Sequence, residues 1–345
     1  MRVFLDKAIV LVYLVCCRWS LACTNFNNVE EALISTYTDL ADAIDCCVTN
    51  LGVLADITVG SELYITECSM SIYGVGNVSL SADTSRIFQV VNSTLQISDI
   101  TLNGGSIGDA NGGGMLISHS AVTLDGVNLV RGMANSGGAI QVDSSTVVMR
   151  SCSIANNTAA SSGGAIHCKS NGEVSMSNVL LTENKAPNGG GLSGEGCLMT
   201  LSDSSLINNH AMKYGGCIYA SQSTIILSNT TLHHCNVELS ATGLGDDSQG
   251  GGIYAVLQST VNITLSLFSN CSASTAALLK LSASEGNIHS SVFQDNWASN
   301  HNMEIVGRMT HCRIQSSVFQ RNRCVRHDMN ILTYAGSAMS IYCIR

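Results

Sequence analysis

Short runs of alternating hydrophobic and polar residues recur along this chain, and they come in pairs. In one pair, Val122 and Leu124 alternate with polar residues, and Val127 and Leu129 do the same after one extra residue. Alternation of this kind is typical of a β-strand with one buried face. The extra residue reverses the alternation, so the chain must bend there if both runs face one core.

The paired runs repeat with the period of a solenoid. A glycine pair keeps step with them and begins at Gly137, Gly163, Gly189 and Gly215, which are 26 residues apart. No segment between the runs has helix length, so each period is expected to form one coil of strands. Such coils stack about 4.8 Å apart through parallel strand hydrogen bonds. The pattern predicts an all-β, right-handed parallel β-helix of about 9–11 coils.

Three residues after the last hydrophobic position of each coil is a turn position that asparagine often occupies. These asparagines are Asn157, Asn184, Asn209, Asn296 and Asn322. Asparagine tolerates left-handed backbone geometry, and stacked side-chain amides can form hydrogen bonds between neighbouring strands. We therefore predict a ladder of turn asparagines along one corner of the solenoid.

The cysteines indicate export to an oxidising compartment. Removing Cys16 and Cys17 with an N-terminal signal would leave 13 of the 15 cysteines, an odd number that implies at least one free or intermolecular thiol. Cys235 and Cys271 share the ladder position in neighbouring coils, so both a disulfide between them and two buried thiols fit the pattern. There is no Cys-x-x-Cys spacing, and we predict neither a metal site nor a cofactor.

The first 22 residues have the features of a secretory signal peptide. Arg2 and Lys7 precede or flank a short apolar run, and small residues at 20–22 provide a cleavage site. The run is too short to span a bilayer, and no other segment is long and apolar enough. We predict a secreted or cell-surface protein without a further transmembrane segment.

The remaining chain divides into a cap and a repeat region. Residues 23–84 are expected to form an N-terminal helical cap and irregular first coils, with a helix over 28–44 whose apolar residues follow helical spacing. Residues 85–345 hold the regular repeats, with an insertion at 233–249. A C-terminal cap is apparently missing from the pattern.

Two motifs of the repeat resemble those of a known family. Gly-Gly-Ala-Ile stands at 137–140 and 163–166, and Phe-x-x-Asn stands at 293–296 and 319–322. They resemble the repeats of chlamydial polymorphic outer-membrane proteins over roughly residues 85–325. That resemblance implies a surface-displayed β-helix of the pectin-lyase-like superfold with a role in adhesion. Most coils depart from that family by carrying Leu or Ile in place of its Phe.

An enzyme of the pectin-lyase-like group is an alternative. A glycosidase needs paired carboxylates, and a lyase needs clustered carboxylates for calcium with a basic residue to accept a proton. One predicted strand face carries polar pairs in three stacked coils: Gln141 and Asp143, His167 and Lys169, and Ser193 and Glu195. They form no dense acidic cluster, so we identify no catalytic residue and favour a protein without catalysis.

The insertion holds the weak candidates for ligand binding. They are His233, His234, Glu238, Asp246 and Asp247. Histidine and carboxylate side chains are common ligands, which favours a metal-binding or ligand-binding loop. A solvated loop on a tolerant scaffold explains the same residues, because insertions in surface loops cost little stability.

Asn-x-Ser/Thr sequences provide candidate N-glycosylation sites. They begin at Asn77, Asn92, Asn156, Asn229, Asn262 and Asn270. Such sequences accept glycans in exported proteins of eukaryotic hosts.

The net charge limits the partners. The formal charge of −9 argues against nucleic acid, although Arg308, Arg313, Arg321, Arg323 and Arg326 make the last quarter basic. The leading hypothesis is non-catalytic binding or adhesion to a carbohydrate or protein at a surface. A polysaccharide lyase or glycoside hydrolase and a structural wall or matrix repeat protein are the alternatives.

Overall fold

A computed structural model describes residues 31–238, 248–299, 303–307, 311–324, 329–333 and 338–342. The described chain is an all-β, right-handed solenoid of about nine turns, at the lower end of the predicted range. All paired strands run parallel and belong to three sheets that extend along the solenoid. The predicted signal peptide, residues 1–22, lies outside the described residues.

One turn illustrates the path of the chain. Ile140–Asp143 lies in sheet 1, Thr146–Arg150 and Ser153–Ala155 both lie in sheet 2, and Thr158–Ser162 lies in sheet 3. The glycine pair at 163 and 164 then returns the chain to sheet 1. Each turn thus has four corners.

Sheet 1 has 11 strands, which are Leu63–Thr66, Phe88–Val91, Met115–Ser118, Ile140–Asp143, Ile166–Lys169, Leu192–Glu195, Ile218–Ser221, Ile253–Val256, Leu279–Ser282, Met303–Gly307 and Met329–Thr333. Sheet 3 has eight strands, which are Met133–Ser136, Thr158–Ser162, Lys185–Asn188, His210–Tyr214, Asn236–Val237, Ser272–Ala273, Trp297–Ala298 and Arg323–Cys324. The register of both sheets follows from the solenoid repeat, since equivalent positions of successive turns pair.

Sheet 2 has 22 strands, and most turns contribute two. They are Glu31–Ile34, Asn50–Val53, Ile57–Thr58, Ser69–Ala82, Thr94–Gly104, Ala121–Asp125, Asn128–Val130, Thr146–Arg150, Ser153–Ala155, Glu173–Ser177, Leu180–Thr182, Leu198–Ser202, Ser205–Ile207, Thr224–Ser228, Thr231–His233, Thr260–Thr264, Leu267–Ser269, Glu285–His289, Val292–Gln294, His311–Gln315, Val318–Gln320 and Ala338–Tyr342. The predicted bend between the paired runs is present.

Equivalent aliphatic residues form columns in one elongated core. Ile140 pairs in register with Ile166, which pairs with Leu192, which pairs with Ile218. All four side chains are fully buried. The predicted columns are therefore confirmed, and they provide the apolar burial that stabilises the fold.

The asparagines at the predicted turn position form hydrogen bonds from turn to turn, and their backbone geometry differs from the expectation. The Asn157 amide donates to Asn184 Oδ1 at 3.0 Å, and the Asn184 amide donates to Asn209 Oδ1 at 3.0 Å. The left-handed residue is the one before the ladder, for example Asn156 with φ 58°. That residue turns the chain outward, so the next side chain points into the interior and can stack.

The glycine pair makes the corner between sheet 3 and sheet 1 tight. Gly163 has φ 65°, and a Cβ at Gly164 would lie 2.2 Å from the carbonyl oxygen of Gly190 in the next turn. A distance that short excludes any side chain. Glycine is therefore required at this corner both for its backbone angles and for the close approach of successive turns.

The predicted helix over 28–44 is only partly correct. The helix spans Tyr37–Asp45 and begins after Thr36, whose hydroxyl caps the backbone N–H of Asp39. Glu31–Ile34 instead forms a strand that pairs with Asn50–Val53. Strand pairing satisfies the backbone hydrogen-bonding groups of residues 31–34. Helical spacing predicted that Leu33 would be buried in the core, but its side chain is 61% exposed. The role of the helix as a cap stays a prediction.

The structure contradicts a disulfide between Cys235 and Cys271, which was one of the two alternatives left open by the sequence. Cys235 pairs with Cys217, whose α-carbon is 5.1 Å from its own, while Cys271 is a buried free thiol. The residue after the glycine pair points into the same interior corner as the ladder residue, as the 3.7 Å contact from Asn209 Nδ2 to Cys217 Sγ illustrates. Cys217 therefore reaches Cys235 across the corner.

Two further disulfides join described residues, Cys47–Cys68 and Cys168–Cys197. Disulfides are typical of oxidising compartments, so the described structure agrees with the expectation of an exported protein. Within the described ranges, no helix has the length and apolar character needed to cross a membrane.

Candidate functional site

Sheet 1 carries an outward-facing row of side chains formed by the second residue of seven successive strands. These residues, which we call the outer row, are Gln141, His167, Ser193, Tyr219, Tyr254, Lys280 and Glu304. They point outward because the flanking residues of each strand point into the core. Six strand spacings give the row a length of roughly 29 Å.

The middle of the outer row is aromatic. Tyr214, which ends a sheet 3 strand just before the glycine corner, packs across that corner on two outer-row tyrosines. Its ring centroid lies 6.5 Å from that of Tyr219 and 5.0 Å from that of Tyr254. All three rings are half-buried, so their faces are fixed by packing and remain partly accessible.

One end of the outer row contains buried polar groups without hydrogen-bond partners. Both amide atoms of Gln141, Nδ1 of His167 and Oγ of Ser193 belong to this set. Asn188, at the end of the neighbouring sheet 3 strand, adds an unpartnered Oδ1. Each such group costs about 1–3 kcal/mol of folding free energy. Their concentration on three adjacent strands marks this corner as a place where polarity is kept at the expense of stability.

Charged residues surround His167. Burial lowers the pKa of His167, while Glu195 and Asp143 act to raise it. The imidazole is therefore mainly neutral at neutral pH. Burial acts to raise the pKa of Asp143, but hydrogen bonds from Ser170 and Lys169 outweigh it and leave that pKa lowered.

Two ion pairs neutralise the lysines of this face. Lys169 Nζ lies 3.2 Å from Asp143 Oδ2, and Lys280 Nζ lies 2.7 Å from Glu304 Oε2. Glu195 is exposed and has no ion pair with any residue that the structure describes. The accessible part of this face therefore consists of the half-buried aromatic rings with their hydroxyls and the exposed Glu195, and the net charge of the face is slightly negative.

Paired free carboxylates, which glycoside hydrolysis requires, are not apparent on this face. Asp143 is held by Lys169 and Glu304 by Lys280, which leaves Glu195 alone. Over the described part of the chain, no group of three or more His, Cys, Asp or Glu side chains is placed to hold a metal ion. The arrangement is suited to binding through many weak contacts.

The structure does not bring together the described candidate residues of the insertion. The rings of His233 and His234 contact each other edge to face at 4.2 Å, and His233 Nδ1 is 2.8 Å from the Ser269 hydroxyl. Glu238 is exposed on the following corner and acts on the pKa of His210, which burial lowers and Glu238 raises. The structure thus gives no convergence of the histidines with Glu238. Asp246 and Asp247 lie outside the described residues.

The sequon asparagines lie on the outside of the solenoid. Asn77, Asn92, Asn156, Asn229 and Asn270 are exposed, and the last four have the left-handed geometry of corner residues. Asn262 differs because it lies within a sheet 2 strand, where its Oδ1 accepts a hydrogen bond from Asn287 at 2.9 Å.

Sequence reasoning found the first three strands of the outer row but missed Tyr214, Tyr219, Tyr254, Lys280 and Glu304. A signal for Tyr219 and Tyr254 was present, because each follows a glycine pair at the same distance as Gln141, His167 and Ser193 do. No sequence pattern indicates that Tyr214 contacts the outer row, because this contact depends on how the chain bends at the glycine corner.

The comparisons with known proteins agree with the observed fold. A family model described as a right handed beta helix region matches residues 118–287. No curated protein gave a significant match.

Among solved structures, an alginate lyase from Paenibacillus sp. str. FPU-7 is similar over 89% of this chain and 99% of its own, with a TM-score of 0.50 and 11% identity. A surface adhesin of Streptococcus pneumoniae is similar over 89% and 93% of the two chains, with a TM-score of 0.49 and 11% identity. An Azotobacter vinelandii mannuronan C-5 epimerase module is similar over 93% of this chain and 98% of its own, with a TM-score of 0.43 and 9% identity. At such identities, likeness concerns the fold alone.

Proposed function

We propose that this protein binds an extended carbohydrate along the outer row of sheet 1 without cleaving it. The observation that carries the proposal is the outer row itself, a single column over seven turns whose middle is formed by packed, half-buried tyrosines. A row of roughly 29 Å fits a chain of sugars better than a single small molecule.

The tyrosines support a sugar partner in particular. Sugars have one face of C–H groups and a rim of hydroxyls. Tyr214, Tyr219 and Tyr254 provide apolar ring faces with hydroxyl groups at their edges, and such residues are common where one side of a contact is apolar and the other polar. The tyrosine hydroxyls and the exposed carboxylate of Glu195 are hydrogen-bond partners suited to the sugar rim.

The charges favour a neutral glycan at this row. Both lysines of the face are in ion pairs, and exposed Glu195 would repel a carboxylate or sulfate group. The repeats resemble those of chlamydial polymorphic outer-membrane proteins, and this resemblance implies adhesion to a surface. Adhesion through glycan binding is therefore part of this proposal.

An enzyme of the lyase type is the second candidate, and one observation favours it. His167 is kept neutral by burial and has Glu195 nearby, so it resembles a general base at neutral pH. The ion pairs of Asp143 and Glu304 count against this candidate because they leave few groups for proton transfer or for calcium.

A panel of polysaccharides tests the proposal. Purified protein should bind at least one neutral polymer, such as a glucan, mannan or xylan, in affinity electrophoresis. It should release no reducing ends and produce no ultraviolet-absorbing unsaturated sugar. Turnover would favour the enzyme, and absence of binding to every polymer would favour the structural wall or matrix alternative.

We also propose that the mature chain begins after residue 22, is exported and carries glycans in a eukaryotic host. The disulfides support export, and the exposed corner asparagines support glycosylation. Intact-mass spectrometry of protein from a secreting eukaryotic culture tests both ideas. Loss of residues 1–22 and glycans on Asn156 and Asn270 are expected, with Asn262 unmodified because it lies within a sheet 2 strand and not at a corner. A protein found only inside the cells would contradict export.

A further inference from the structure

A second cluster of binding-type residues lies near the last turns, on sheet 3. Trp297 is one of only two tryptophans in the sequence, and its side chain is 38% exposed. It is the first residue of the strand Trp297–Ala298. A single exposed apolar residue is common on protein surfaces, but tryptophan together with arginine is typical of binding surfaces.

A surface cavity of about 580 Å³ adjoins this tryptophan. Its walls come from two successive turns and consist of Asp295, Asn296, Trp297, Arg321, Asn322 and Arg323. Trp297 and Arg323 are direct neighbours in the register of sheet 3. The two asparagines belong to the buried ladder, so the floor of the cavity is rigid.

The arginines of this cavity differ in their partners. Arg321 makes a two-pronged contact with Asp295, with both nitrogen–oxygen distances at 2.7 Å. Arg323 is exposed and makes no ion pair with a described residue. Asp295 therefore neutralises one guanidinium and leaves a net positive charge beside the indole ring.

We infer that this cavity binds an anionic sugar unit, one that bears a carboxylate or a sulfate group. The indole would contact the apolar face of the ring, and the Arg323 guanidinium would form charge-assisted hydrogen bonds to the anionic group. Arg321, fixed and neutralised by Asp295, would offer its remaining N–H donors without losing side-chain entropy on binding. The site is separate from the outer row, so its failure would leave the proposed function intact.

Tryptophan fluorescence provides a direct test. A sulfated oligosaccharide, an oligogalacturonate and a neutral malto-oligosaccharide are titrated separately into the full chain. Emission should change with at least one of the two anionic ligands and not with the neutral one. The response should weaken as salt is added, because exposed charge contacts are screened. Comparison of the two anionic ligands identifies sulfate or carboxylate as the recognised group.

Variants assign the response to the cavity. Trp297→Phe should abolish the fluorescence change, and Arg323→Gln should weaken binding by about tenfold. Arg131→Gln is the control for the loss of one surface arginine, because Arg131 lies at a corner of an earlier turn, away from the residues that line the cavity, and its Nε donates to Asn103 Oδ1 at 2.8 Å. A response to the neutral sugar, no response at all, or equal losses in Arg323→Gln and Arg131→Gln would each overturn the inference.

Discussion

Each corner of sheet 2 depends on two consecutive residues with opposite roles. The first has positive φ and faces solvent, and the second is buried and bonded to the next turn, as in Asn208 and Asn209. The sequence predicted the buried position, because its asparagines recur in phase. It could not separate the two roles, since Asn commonly fills both and composition does not distinguish a left-handed residue from a ladder residue.

The ladder makes a testable contribution to stability. Asn184 donates to Asn209 Oδ1 and to the Ile154 carbonyl, and its Oδ1 accepts from the amide group of Asn157. Asn184→Ala would leave these buried groups unpaired, so we expect a loss of about 2–4 kcal/mol in the free energy of unfolding. Denaturant titration followed by circular dichroism measures it.

The control for this change is Asn208→Gly, which removes an exposed corner side chain and keeps the left-handed backbone at φ 55° accessible. Its effect should stay within a few tenths of a kcal/mol. Equal destabilisation by the two substitutions would contradict a specific role of the buried ladder.

At the scale of elements, strand alternation was the reliable guide. The period of two and the extra residue at the bend predicted the strands and their shared core, because one slip in register would expose every apolar side chain. The helix prediction failed over 31–34, where alternation and helical spacing fit the same few apolar residues. Only pairing with Asn50–Val53 decides between them, and a non-local pairing has no local signal.

The disulfide shows the same limit. Cys235 and Cys271 occupy equivalent positions in neighbouring turns, so the sequence indicated that they lie close together. The strands that follow them are indeed adjacent. The direction of each side chain, however, is set by the corner. Cys217 comes from the opposite side of that corner and reaches Cys235 first. Connectivity within a solenoid thus follows side-chain direction more than sequence period.

At the scale of the whole molecule, stacking converts single side chains into long surfaces. The outer row and the Trp297 cavity lie on different sheets, 1 and 3, and involve different turns. The sequence predicted the scaffold that makes such rows, and it predicted a carbohydrate or protein partner. It did not predict which row is used, because that depends on which side chains become packed or accessible at each corner.

The most direct test of the central claim is calorimetric titration of the glycan found in the panel into two matched variants. Tyr254→Ala removes a ring packed 5.0 Å from Tyr214, whereas Tyr64→Ala removes a 55% exposed tyrosine at the same strand position in the first strand of sheet 1. We expect Tyr254→Ala to weaken binding by about tenfold, or about 1.4 kcal/mol, and Tyr64→Ala to leave it unchanged. Unchanged affinity in Tyr254→Ala, or the same loss in both variants, would contradict a binding site on the outer row.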